Sequence, residues 1–135
     1  MTLTQSLAGL PAFLLYFGLS MAMLILFLAV YLAITPYDEL RLIRERNVAA
    51  AISLAGAVVG FVLPLARAVT QSVSPLDLVV WACVALVVQV VVFFLVGKLV
   101  PHFPAAVRNG EVAGAAFLAA LAVAVGVLNA AAMTI

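Results

Sequence analysis

The chain has 135 residues, of which 69% are hydrophobic and 8% are charged, and its formal net charge is +1. A soluble domain carries roughly 25% charged residues and buries only about two-thirds of the surface that its unfolded chain exposes, so the composition excludes a soluble fold. The small net charge also gives no basis for binding nucleic acid.

Four apolar runs are long enough to cross a bilayer as helices. The shortest, residues 78–98, would span about 31 Å, which matches the hydrocarbon core of a membrane. Helix is expected even for the β-prone residues 87–94, because an open strand leaves its backbone groups unpaired in lipid. We therefore predict an all-α membrane protein with a single domain over residues 1–135 and transmembrane helices at about 12–34, 48–72, 78–98 and 112–133.

The beginning of the chain predicts a membrane span, because no Lys or Arg precedes the first apolar run and a cleavable signal peptide would need a basic start. The first connection then carries the pattern of a short helix. Thr35 begins a Thr-x-x-Asp capping pattern that ends at Asp38. Leu40 and Ile43 would share one face, so we predict a helix at the membrane interface over about 36–46.

Positive charges are distributed unevenly between the two ends of the predicted bundle. An excess of Lys and Arg in short loops marks the cytoplasmic side of a membrane protein. The first and third connections hold five of the six basic residues, and the opposite end has only Arg67. We therefore expect these two connections to face the cytoplasm and both termini to face the periplasm. The five residues are Arg41, Arg44, Arg46, Lys98 and Arg108.

The two halves of the chain resemble each other. Residues Arg44–Ala51 align with residues Arg108–Ala115, and each stretch begins an even-numbered span. An even number of crossings separates the two stretches, so two hairpins would lie in the same orientation. We predict a tandem repeat of two helical hairpins, with a shared Ala and Val content as the alternative explanation.

Small residues recur four positions apart in two of the spans. Gly56 and Gly60 form a GxxxG pattern in the second span, and Gly126 lies in a similar stripe in the fourth. Such stripes let two helix backbones approach closely. They predict helix packing inside the bundle or contacts between the subunits of a homo-oligomer. A further stripe in the fourth span contains Ala116, Ala120 and Ala124.

A few polar side chains interrupt the apolar runs. Lipid offers them no hydrogen-bond partner, so they must face protein or water. Gln89 lies near the middle of the third span, and Arg67 lies near the end of the second, with Asp77 as a plausible partner. Asn129 and Ser53 are further polar residues of this kind. We expect these four side chains to form hydrogen bonds between helices or to act as interfacial anchors. The alternative is that they line a pore or a solute path.

The charged first connection allows two interpretations. It is a solvated and self-paired surface, or it is a docking patch for a cytoplasmic protein or for lipid phosphates. The candidate docking residues are Arg41, Arg44 and Arg46, accompanied by the acidic residues Asp38, Glu39 and Glu45.

Groups for catalysis or metal binding are sparse in this sequence. The chain has one His and one Cys, which do not make a metal-ligand cluster. No acidic residue falls inside a predicted span, so a buried carboxylate relay has no candidate there. We expect no catalytic residue, no metal and no cofactor, and an enzyme is the least favoured class.

Several stretches together resemble the YjfL-type family of bacterial inner-membrane proteins, the domain of unknown function 350. The resemblance covers essentially the whole chain and implies the same membrane architecture, often with a two-helix unit in tandem. Family members tend to have Gly where this chain has Arg46, so the turn at that position departs from the family pattern. The resemblance is carried by residues 37–52, 60–66 and 126–131 together with Asp77, Trp81 and Gln89.

The resemblance implies no specific activity. Relatives of this type are often encoded near membrane-stress genes, which associates them with envelope maintenance. We therefore expect a non-enzymatic bacterial inner-membrane protein that acts as an oligomeric scaffold or partner subunit in envelope maintenance. The alternative is an oligomeric channel or small-solute transporter. The expected partners are the lipid bilayer, further copies of the chain and a cytoplasmic or membrane protein, without nucleic acid.

Overall fold

The computed structural model describes residues 2–133, and within them the backbone forms seven helices and no strand. The predicted domain of residues 1–135 extends past this range by Met1, Thr134 and Ile135, which lie outside the described residues. The helices are α1 (Leu3–Leu7), α2 (Leu10–Ile34), α3 (Glu39–Arg44), α4 (Val48–Gln71), α5 (Pro75–Leu99), α6 (Phe103–Arg108) and α7 (Val112–Ala132).

Four of these helices, α2, α4, α5 and α7, are long and apolar enough to cross a membrane. This confirms the all-α class and the four spans. The short helices α3 and α6 each follow a long helix and precede another, so the order long, short, long occurs twice. That the two hairpins form a tandem repeat stays a prediction.

The helices α3 and α6 end in the same backbone turn. The amides of Arg46 and Asn47 donate to carbonyls of α3 at 2.9 and 2.8 Å, and those of Gly110 and Glu111 donate to carbonyls of α6 at 3.0 and 2.9 Å. This paired pattern is the Schellman motif, which needs a left-handed residue after the helix. Gly110 has a φ of 77° and Arg46 a φ of 64°. Glycine takes this conformation readily because it has no Cβ, whereas the Cβ of other residues comes too close to the following carbonyl oxygen.

The centre of the bundle is a direct contact between the backbones of α4 and α7. Gly56 lies against Ala119, and Gly60 lies against both Ala122 and Gly126. A Cβ added to Gly126 would come within 2.8 Å of the Gly60 Cα, closer than two carbon atoms pack. Glycine therefore lets these two helices touch, as close helix packing in membranes requires. The other small-residue stripe of α7 is exposed on the outside of the bundle at Ala116, Ala120 and Ala124.

Helix α2 joins the bundle mainly through its second half, and Tyr16 and Leu19 of its first half are partly buried against the core. Its buried residues are Met23, Phe27 and Tyr31, and the Phe27 ring stacks on the ring of Phe61 from α4 with centroids 4.4 Å apart. The first half of α2 lies beside α4 across an apolar groove of about 680 Å³. The groove is lined by residues including Phe13, Tyr16, Phe17, Leu65 and Val69.

Replacing Gly126 with alanine should lower the free energy of unfolding by about 1–3 kcal/mol, because the new Cβ must displace the backbone of Gly60. Gly97→Ala in α5 is the matched control, since a Cβ there meets no atom within 4 Å. The control should keep its stability or gain up to about 1 kcal/mol from better helix propensity. Reversible unfolding in mixed micelles measures both variants, and equal stabilities would contradict the contact between α4 and α7.

Replacing Arg46 with glycine should raise the free energy of unfolding by about 1 kcal/mol, because glycine removes the Cβ clash at positive φ. Arg46→Ala is the control, since it removes the charge and keeps the Cβ. The same unfolding assay separates the two effects. A gain for alanine as large as that for glycine would show that the charge, and not the backbone, is unfavourable.

Candidate functional site

Most charged residues lie at the end of the bundle that holds α3, α6 and the first turns of α4 and α7. We call this end the arginine end. It contains Arg41, Arg44, Arg46 and Arg108, and Lys98 lies in the last turn of α5 nearby. Arg67 lies near the opposite end of the bundle and is exposed.

Helix α3 begins one residue after Asp38. The Asp38 carboxylate accepts a hydrogen bond from the amide of Arg41 at 3.2 Å and so caps the helix. The capping role predicted for Thr35 is wrong. Its hydroxyl instead donates to the carbonyl of Leu32 at 3.1 Å, within the last turn of α2.

The buried face of α3 differs from the face that the sequence indicates. Glu39 and Leu42 are buried, 1% and 6% exposed, whereas Leu40 is 48% exposed and Ile43 is partly buried. The helix lies against the start of α4, and Ser53 of α4 lies where the Glu39 carboxyl reaches it. The expectation that Glu39 belongs to a solvated surface is therefore wrong.

The Glu39 carboxyl has few partners. Its Oε1 atom lies 3.4 Å from the Ser53 hydroxyl, and its Oε2 atom has no hydrogen-bond partner among residues 2–133. Burial raises the pKa of Glu39 to about 7, and the nearby hydroxyls of Tyr37 and Ser53 partly oppose that rise. The carboxyl is therefore the group at this end whose charge is least stabilised.

Two tyrosine hydroxyls complete a buried polar group that we call the Glu39 cluster: Tyr31, Tyr37, Glu39 and Ser53. The hydroxyls of Tyr31 and Tyr37 are buried and make no hydrogen bond in the described part of the chain. Tyr31 comes from α2 and lies within electrostatic reach of Glu39. Burial, and then the charge of Glu39, raise the pKa of Tyr37, so its hydroxyl keeps its proton. The cluster joins α2, α3 and α4.

Two side chains tie the end of α6 to the first connection. Asn47 caps α4 by accepting from the amide of Ala50 at 3.0 Å, and its Nδ2 donates to the carbonyl of Val107 at 2.8 Å. The Arg108 guanidinium donates to the carbonyl of Pro36 at 3.1 Å. A cleft of about 500 Å³ lies between the two turns. Its lining includes Arg46, Asn47, Arg108, Asn109 and Gly110.

The three candidate docking residues lie on the outside of the arginine end. Arg41 makes an exposed ion pair with Glu45 at 3.8 Å, and Arg44 donates to the carbonyl of Leu40 at 3.3 Å. Arg46 is exposed in the turn after α3. Exposed ion pairs of this kind contribute at most about 1 kcal/mol, so the arginines can exchange partners at little cost.

Gln89 is 2% exposed and lies between three helices. Its Nε2 donates to the carbonyl of Ala122 in α7 at 3.1 Å, next to Gly60 of α4. Gln89 thus makes a hydrogen bond between helices, which was one of its two predicted roles. That bond uses one of the two N–H donors of the amide.

The remaining polar candidates lie apart from one another. Asp77 accepts from the amide of Val73 at 3.1 Å, and the ion pair that residues 2–133 contain does not involve Arg67. Asn129 is partly buried, and its Nδ2 has no hydrogen-bond partner among the described residues. Ser53 donates to the carbonyl of Ala50 in its own helix at 3.0 Å.

Glu39 is the functional candidate that sequence reasoning missed. It stands among the charged residues of a short connection, and nothing in the linear pattern separates it from Asp38 or Glu45. Glu39 and Leu42 are three positions apart and can share a helix face, but so can Leu40 and Ile43, so the spacing alone does not choose between them. Choosing between the two faces requires knowing that α3 packs on Ser53.

Replacing Gln89 with leucine should lower the free energy of unfolding by about 0.6–2 kcal/mol, because the hydrogen bond to α7 is lost in lipid. Val87→Leu is the matched control on the lipid-exposed side of the same helix. Unfolding in mixed micelles compares the two. A loss no larger than in the control would show that the amide bond does not hold α5 to α7.

Comparisons with known proteins identify relatives that are named as membrane proteins. The family model described as Domain of Unknown Function (DUF350) matches residues 5–133. The UPF0719 inner membrane protein YjfL of Escherichia coli strain K12 is 39% identical over 128 residues, covering 95% of this chain and 97% of that protein. YjfL of Escherichia coli O157:H7 matches to the same extent.

A more distant relative comes from another bacterium. The UPF0719 transmembrane protein YshE of Bacillus subtilis strain 168 is 26% identical over 88 residues, covering 65% of this chain and 66% of that protein. No solved structure matches the chain. The family model spans nearly all of the four-helix bundle, which confirms the resemblance found in the sequence: this chain belongs to the Domain of Unknown Function (DUF350) family of bacterial membrane proteins.

Proposed function

We propose that the protein is a non-enzymatic subunit of an inner-membrane assembly, an oligomeric scaffold or partner subunit in envelope maintenance. Its arginine end faces the cytoplasm and binds an acidic segment of a partner protein. The observation that carries this proposal is the outward display of Arg41, Arg44 and Arg46 on a connection that is fixed to the bundle.

The fixed position of α3 favours docking. Leu42 is buried, the turn after the helix makes two hydrogen bonds, and Asn47 bonds to the last turn of α6. A surface that is already ordered loses less conformational entropy when it binds. Guanidinium groups pair with carboxylates through two parallel hydrogen bonds, so an acidic segment is the partner that suits these arginines.

The proposed orientation follows from the distribution of charge. The positive-inside preference places the arginine end in the cytoplasm and the α4–α5 turn outside. Both termini of a four-span chain then face the periplasm. Arg67, the basic residue nearest the other end, is exposed where a long side chain can reach the lipid headgroups.

Self-association has its own support in the exposed stripe Ala116, Ala120 and Ala124 of α7. Small residues on an outer helix face let a second copy approach closely. The channel or transporter alternative would need polar side chains that are free to line a shared path. The Gln89 amide is engaged inside the protomer and Arg67 lies near one end, so the geometry favours the subunit role.

The docking proposal is tested by photo-crosslinking in cells with a crosslinking amino acid at Leu40, which is exposed on α3 and is not itself an arginine. We expect a crosslinked adduct with a partner protein. Its yield should fall at least about tenfold, the equivalent of 1.4 kcal/mol in binding free energy, when Arg41, Arg44 and Arg46 are all changed to glutamine. Arg67→Gln is the control and should leave the adduct unchanged. Mass spectrometry should identify a partner with an acidic segment.

Two outcomes would end this proposal. One is an adduct that survives neutralisation of the three arginines. The other is an arginine end that faces the periplasm, which cysteine labelling detects in a Cys83→Ser background. A membrane-impermeant maleimide should label Thr70→Cys in intact cells and should label Leu40→Cys only after the membrane is opened.

A further inference from the structure

The Glu39 carboxyl is buried without a compensating positive charge. It is 1% exposed, and the ion pair formed within residues 2–133 joins Arg41 to Glu45. The nearest cation on α6, Arg108, directs its guanidinium to the carbonyl of Pro36. An ionised carboxylate in such a place is strongly disfavoured, and the usual response is that the carboxyl takes up a proton.

Ser53 is only a weak partner for the Glu39 carboxyl. Its hydroxyl donates to the carbonyl of Ala50 at 3.0 Å and lies 3.4 Å from Oε1 of Glu39 as a second possible acceptor. A hydroxyl has a single hydrogen, and 3.4 Å is longer than the usual O–H···O distance of about 2.5–3.0 Å. Ser53 therefore does little to stabilise an ionised Glu39.

The rest of the cluster can rearrange its hydrogens but cannot supply a charge. Oε2 of Glu39 and the hydroxyls of Tyr31 and Tyr37 are buried, and none has a hydrogen-bond partner among the described residues. Hydroxyls donate and accept, so they can serve either form of the carboxyl. Loss of the proton would still leave a negative charge among neutral groups.

We infer that Glu39 is a proton-binding site, and that the bound proton holds α3 against α4. Helix α3 has six residues, and its buried side chains are Glu39 and Leu42. When Glu39 ionises, the new charge requires water, and the short helix is the element that moves to provide it. This inference does not depend on the docking role proposed above.

The charged and titratable groups around Glu39 determine the direction of the pH effect. They are Tyr31 of α2, Tyr37 of the connection, and Arg108 of α6, which acts on Tyr37; Ser53 of α4 adds a hydroxyl. Burial raises the pKa of Glu39 from 4.5 to about 7. Because the pKa of Glu39 is higher in the folded protein, its bound proton stabilises the folded state. This stabilisation is complete below pH 4.5 and is lost as the pH rises through 7.

Hydrogen–deuterium exchange of the intact protein in nanodiscs tests this inference. When the pH is raised from 5.5 to 8, the protection factors of the α3 amides, corrected for intrinsic exchange rates, should fall at least about tenfold. This is the factor that one pKa unit represents. Glu39→Gln, a neutral isostere, should show no such change. Glu45→Gln is the matched control, because this exposed carboxyl lies just after the same helix, and it should keep the pH dependence.

Infrared spectroscopy tests the proton site without altering Glu39. In a Glu45→Gln, Glu111→Gln double variant Glu39 is the remaining glutamate, and a protonated carboxyl band should disappear with a midpoint near pH 7. A midpoint below pH 5, or a pH dependence of α3 exchange that persists in Glu39→Gln, would overturn the inference. A titrating band with no change in α3 exchange would equally overturn the claim that the proton holds α3.

Discussion

The contact of two glycine backbones, Gly60 of α4 and Gly126 of α7, is the constraint on which the rest of the structure depends. In lipid there is little hydrophobic force between helices, so close packing and hydrogen bonds must hold them. Because Gly60 and Gly126 have no Cβ, α4 and α7 can approach closely. The same space lets the Gln89 amide reach the carbonyl of Ala122. One contact therefore fixes the positions of three helices.

That contact also decides what happens at the arginine end. With α4 and α7 side by side, the two turns that precede them become neighbours, and Asn47 can bond to the carbonyl of Val107. The first connection then has to fold over the start of α4, which takes Glu39 out of solvent. Glu39 is buried where α3 packs against the start of α4, beside Ser53 of α4 and Tyr31 of α2.

The long helices could be predicted from the sequence because lipid forces a simple solution: an apolar run of sufficient length must satisfy its backbone internally. The need of Gln89 for a partner could be predicted for the same reason, although the sequence does not name Ala122 as that partner. The burial of Glu39 could not be predicted, because it depends on side chains from α2 and α4 that are distant in sequence. The charged pattern of α3 also fits two different buried faces.

The groove beside the first half of α2 has a consequence for how the protein fits its bilayer. The fully buried residues of α2 begin at Met23, and before it Tyr16 and Leu19 are only partly buried against the core, so the first half of this helix is held by fewer contacts than the second. Tilt is how a long apolar helix adapts to a membrane thinner than itself. The first span is the least buried of the four, so the hydrophobic length of this protein is constrained less at α2 than at α4, α5 and α7.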